Sequence, residues 1–169
     1  MNRLARALLS YTYLITRQHD KALEEAEKSI ALGPNSADAH AWYAQVLVFA
    51  GEPAKGISLV EKALRLNPFP QSWYYNGLYW SYFLPRDYER AIQACMKGIT
   101  IDPVNIRLRV NLTLGYVMLG LEKEAHEQAQ EALNIYPSLT FESFLQGLPF
   151  KDHSENERVL NALRKAGLK

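Results

Sequence analysis

One cysteine among 169 residues excludes an internal disulfide, so packing alone has to hold this chain together and no oxidising compartment is implied. Cys95 lies in a segment with helical periodicity, where a free thiol is expected to serve as a small buried hydrophobe. Excess charge of one sign is missing too. The 19 Lys+Arg and 18 Asp+Glu leave a net charge of +1, which argues against a nucleic-acid tract or an anionic membrane as partner. No apolar run approaches the roughly 18 residues of a membrane span. The N-terminus has the outline of a signal sequence, with Arg3 and Arg6 ahead of the apolar run 7–15. However, Ser10 and Thr12 interrupt that run, no small-x-small cleavage site follows, and the segment has helical spacing. A soluble, cytoplasmic protein is expected.

Motifs that would carry chemistry are equally scarce. His19, His40, His126 and His153 show no metal-ligand spacing such as H-E-x-x-H, and His126 sits one helical turn from Glu122 as an exposed pair would. No phosphate-cradling glycine loop and no G-x-S-x-G elbow occurs. Neither metal, cofactor nor catalytic residue is therefore expected, and the chain is read as not an enzyme.

What is present is repetition. Pro34, Pro68, Pro103 and Pro137 follow one another at intervals of 34, 35 and 34 residues, each after a run rich in small and aliphatic residues. With 48% apolar residues there is ample material for a core. Within each unit the apolar positions fall three and four apart in two runs separated by a short break, which predicts a helix hairpin. Asn35 and Ser36 are placed to cap a helix, Gly51 to permit the turn, and Pro53 to open the next helix; Asn67-Pro68 then stops it. Helix pairs are predicted near 3–16 and 20–33, 37–50 and 54–67, 71–84 and 88–101, and 105–118 and 122–135.

The period, the small residue Ala44, the tyrosines Tyr13, Tyr82 and Tyr116, the alanines Ala22, Ala91 and Ala125, and the closing prolines together resemble tetratricopeptide repeats. The resemblance implies an all-α, right-handed superhelical solenoid of four hairpins over 1–137 (about 3–36, 37–70, 71–105 and 106–137). A non-repeating segment, 138–169, would supply capping helices, with Phe144, Leu145, Leu160 and Leu163 as cover for the end of the array. Bulky Tyr79 and the Pro85-Arg86 turn depart from the pattern, and an extra residue near Phe69-Pro70 is expected to lengthen a connection. The segments Leu148 to Asp152 and Arg164 to Leu168 also resemble the ending of bacterial proteins in which such repeats follow a class III adenylate cyclase or a regulator domain. That implies a regulatory or assembly role in cyclic-nucleotide signalling.

The resemblance further implies a concave groove lined by Trp42, Gln45 and Phe49 of unit two, Trp73, Asn76 and Trp80 of unit three, and Arg107, Asn111, Leu114 and Met118 of unit four. Large aromatics and arginine are typical binding anchors, and amides can bond an extended backbone. Trp73 and Trp80, seven residues apart on one face, are expected to form an aromatic wall; the tryptophans can instead pack between hairpins or against the C-terminal segment. The carboxylate clamp of the chaperone-binding subtype is absent, since only Arg107 keeps a suitable charge. A protein or peptide partner is the expectation. The alternatives are self-association through the apolar face Leu8, Leu9, Leu14 and Ile15, giving a homodimer, and single-stranded RNA, which the charge balance disfavours.

Overall fold

The computed structural model describes residues 1–168. Among them are ten helices and no strand: α1 (Arg3–Ile15), α2 (His19–Ala31), α3 (Ala37–Phe49), α4 (Pro53–Leu66), α5 (Ser72–Phe83), α6 (Tyr88–Ile101), α7 (Ile106–Leu119), α8 (Glu122–Ile135), α9 (Phe141–Gln146) and α10 (Ser154–Lys165). Consecutive helices pair as four hairpins. The first helices α1, α3, α5 and α7 also pack side by side, and each second helix packs on the next hairpin. Helices α3, α5 and α7 are therefore enclosed from several sides, which is why their sequences are apolar nearly all round; α4, α6 and α8 keep one polar face for solvent.

Each hairpin turns in the same way. Arg17, Gly51, Arg86 and Gly120 occupy equivalent places with φ of 59°, 94°, 72° and 72°, all left-handed. In every case the next amide donates to a carbonyl five residues back: Gln18 to Tyr13 at 2.8 Å, Glu52 to Leu47 at 2.8 Å, Asp87 to Tyr82 at 3.0 Å and Leu121 to Tyr116 at 3.0 Å. These are Schellman endings, for which glycine is the unstrained choice. Pro85-Arg86 thus makes the same turn without glycine. Side chains cap α1, α3, α6 and α7 from Asn2, Ser36, Asp87 and Asn105. Close approach needs small residues on the second helices: Ala22, Ala91 and Ala125 are fully buried, and a Cβ on Gly98 would lie 2.5 Å from Leu108 Cδ1 and 3.0 Å from Tyr75 Cβ.

Two features differ from the sequence-based expectation. On α1 the side exposed to solvent is Leu4, Leu8, Tyr11 and Ile15 (60, 58, 36 and 51% exposed), whereas Leu14 is buried within the hairpin. At the other end, α10 packs on α7 and α9, burying Leu145, Val159 and Leu163. The connection from α9 to α10 does more than cover that end, however: it reaches back along the inner face, where the Lys151 amide donates to the Phe49 carbonyl at 2.9 Å.

Candidate functional site

The inner face is divided in two along the helix axes. One part is an open cleft of about 290 Å³ lined by Tyr11, Trp42, Gln45, Trp73, Asn76, Asn105 and Arg107. The opposite end of the groove is filled by the chain's own C-terminal segment.

Three helices contribute an aromatic ladder to the open cleft. Tyr11 lies against Trp42 with ring centroids 5.4 Å apart, and Trp42 stacks on Trp73 at 4.8 Å and 30°. Such contacts prefer offset geometry and hold the rings rigidly as a wall. Behind Trp73, Tyr74 is buried and bonds Asp38 of α3; burial, reinforced by that carboxylate, pushes its hydroxyl up to about 12. The phenol therefore stays a donor and ties α5 to α3 under the wall.

Amides form the floor. Gln45 packs over Gly77, where a Cβ would meet its Cγ at 3.1 Å. Asn111 is fully buried and donates through Nδ2 to Asn76 Oδ1 at 2.8 Å, which leaves the Asn76 amino group for the cleft; the Asn111 Oδ1 itself has no partner among the described residues. Asn105 Nδ2 is held by Ser72 and Asp102 at 3.0 and 3.2 Å. On the far rim Arg107 is exposed and makes no ion pair among the described residues. One aromatic wall, two amides and a free guanidinium suit a segment with an apolar side chain, a main chain to bond and a carboxylate.

Of the ten groove residues expected from the sequence, five meet here: Trp42, Gln45, Trp73, Asn76 and Arg107. Asn111 stands behind Asn76, and Leu114 is wholly in the core. Phe49, Trp80 and Met118 lie at the filled end. Trp80, only 1% exposed, packs on Phe49, Phe83 and Phe150, and Met118 Sδ accepts from Arg158 of α10 at 3.9 Å. The wall expected from Trp73 and Trp80 therefore does not form, because the C-terminal segment covers one of them. Tyr11 and Asn105 are additions; the interval of 31 residues from Tyr11 to Trp42 and again to Trp73 was the available signal.

No metal-ligand cluster occurs among the described residues. His19, His40 and His126 each place a ring nitrogen 2.8 Å from a backbone carbonyl. Cys95 is buried with its thiol raised by desolvation.

No family model matches the sequence, and no curated protein matches it. Solved structures do. The chain aligns over 97% of its length with PilF of Pseudomonas aeruginosa, covering 72% of that chain at 24% identity and a TM-score of 0.72. It aligns over 97% with a thermophilic TPR protein of Thermus thermophilus, covering 86% of that chain at 18% identity and a TM-score of 0.75. Cut9, in the APC/C hetero-tetramer Cut9-Hcn1, matches 98% of this chain over 30% of its own at 18% identity and a TM-score of 0.75. The chain has the tetratricopeptide-repeat fold. In a TPR array the inner helices face the groove, as α1, α3, α5 and α7 do here. Among the described residues no helix is long and apolar enough to cross a membrane.

Proposed function

We propose that the protein is a non-catalytic interaction module that holds an extended peptide segment or helix of a partner protein in the open cleft. The observation that carries this is the rigid Tyr11/Trp42/Trp73 wall facing uncommitted polar groups, Gln45, Asn76 and Arg107. The TPR fold supports it, as does Cut9, which is seen in a hetero-tetramer with Hcn1. Apolar anchoring on the wall supplies affinity, amides bond the main chain, and Arg107 selects a carboxylate. Peptides selected from a displayed library and titrated by tryptophan fluorescence test it: enriched sequences should carry an acidic residue, and Arg107→Ala should weaken them several-fold. Absence of any enriched sequence would sink the proposal.

The narrower proposal, a cytoplasmic bacterial signalling role beside an adenylate cyclase, rests on the resemblance of Leu148 to Asp152 and Arg164 to Leu168. Coding sequence for a fused or adjacent cyclase domain is its expected correlate; a neighbourhood with neither counts against it.

A second reading is self-association through α1. Its exposed stripe Leu4, Leu8, Tyr11 and Ile15 carries no charge. The places in units two to four equivalent to Tyr11 and Ile15 include Gln45, Phe49, Trp80 and Leu114, all buried, whereas on α1 both are exposed. Light scattering on a sizing column should show a dimer at micromolar concentration that Leu8→Asp dissociates; a monomer before substitution contradicts it.

A further inference from the structure

The filled end of the groove is built as a recognition site. Arg17 Nη1 donates to the Phe150 carbonyl at 3.1 Å, and Nη2 donates to those of Leu148 at 3.2 Å and Gln146 at 3.4 Å. Gln146 is the last residue of α9, whereas the Leu148 and Phe150 carbonyls, two residues apart beyond that helix, turn to the same guanidinium as alternate residues of an extended chain do. His19 Nε2 donates to the intervening Pro149 carbonyl at 2.8 Å, and the Phe49 carbonyl takes the Lys151 amide. Phe150, 2% exposed, enters a slot with ring centroids 5.1 Å from both Phe49 and Trp80. Side chains that bond a main chain give affinity independent of sequence, while the aromatic slot selects. Arg17 does this from a left-handed backbone, at a place where units two and four carry glycine. Strain of that kind persists where surrounding contacts over-determine it, often at ligand clamps.

We infer that this end of the groove is a second peptide site, for an extended segment of the pattern aliphatic-proline-aromatic, and that Leu148-Pro149-Phe150 is its resident occupant. The inference rests on the interaction-module reading. It adds a site that a partner protein can take in place of the tail. The resident does not fill it: a cleft of about 210 Å³, lined in part by Val48, Pro53, Leu84 and Pro85, remains beside Phe150. Lys151 borders this cleft, and a partner with an apolar residue next to its aromatic one gains apolar contacts with Val48, Pro53, Leu84 and Pro85 there. Such a gain is needed, because a tethered occupant acts at an effective concentration of about a millimolar.

The test uses the full chain and a fluorescent peptide of sequence Gln-Gly-Leu-Pro-Phe-Lys-Asp, copied from 146–152. In Phe150→Asp a carboxylate is disfavoured in the aromatic slot, which releases the tail. The peptide should bind this variant at least tenfold more tightly than the parent protein, and Arg17→Ala in the same background should abolish the gain. Should Phe150→Asp lose helicity, Phe150→Ser carries the same comparison. Binding to the folded variant no tighter than to the parent overturns the inference. A gain that Trp73→Ala removes also overturns it, since the peptide would then occupy the open cleft. Either failure leaves Trp73-dependent capture by the cleft, and hence the module reading, intact.

Discussion

Single residues show where sequence and environment conflict. Tyr79 stands where the repeat pattern favours a small side chain; it is wholly buried, stacked on Phe83 with centroids 5.2 Å apart, and its hydroxyl has no partner among the described residues. A buried unpaired hydroxyl costs about 1–3 kcal/mol. Tyr79→Phe should therefore stabilise the protein by about 1 kcal/mol in urea unfolding, and a loss of stability would mean that the hydroxyl is satisfied. Glu25 is a buried carboxylate that accepts from Arg6 of α1 at 2.6 Å and Lys28 at 2.9 Å; these bonds hold its carboxyl below the usual 4.5. With the folded-state value depressed, its contribution is complete above about pH 4.5 and is lost as pH falls further. Glu25→Gln should flatten the fall of melting temperature below that pH, and an unchanged acid limb would exclude this pair as its cause. The tryptophans were only half legible at this scale. Trp73 and Trp80 share one helix face but stand about 10 Å apart along the axis, and which of them meets solvent depends on a tail some seventy residues away.

Elements were the most legible scale, because turn chemistry and apolar spacing are local. The predicted helices agree with α1 to α8 to within a residue or two. Ser72 opens α5 one residue later than a 34-residue register from Ala37 would place it, which locates the extra residue in the connection before it. What repeat register concealed was the aromatic ladder: Tyr11, Trp42 and Trp73 are 31 apart, about one helical turn short of the period, so aligned units do not superpose them. The two arginine turns offer a contrast. Arg86 is exposed and its side chain makes no hydrogen bond among the described residues, so Arg86→Gly relieves left-handed strain and should add about 0.5–1 kcal/mol. Arg17→Gly relieves the same strain but removes three carbonyl bonds, each charge-assisted, and should cost about 1–2 kcal/mol in the same denaturation assay. Equal effects at both turns would show that the Arg17 clasp contributes nothing.

At the scale of the whole molecule the groove has one open end and one end filled by the chain's own C-terminal segment. Its existence followed from the repeat, but its division did not, because the segment that divides it lies outside the repeats and is held largely through backbone carbonyls, which every sequence carries. Arg17 and His19 therefore gave no motif, although both lie at a hairpin turn opening on the inner face. On the proposed reading, the wall of Tyr11, Trp42 and Trp73 at the open end, with Arg107 opposite, captures a partner segment. Calorimetric titration of a library-selected peptide against the parent protein and Trp73→Ala tests it most directly, with helicity checked by circular dichroism. Binding to a Trp73→Ala variant that keeps its helical content should be at least tenfold weaker; full affinity in that variant would rule out capture by the wall.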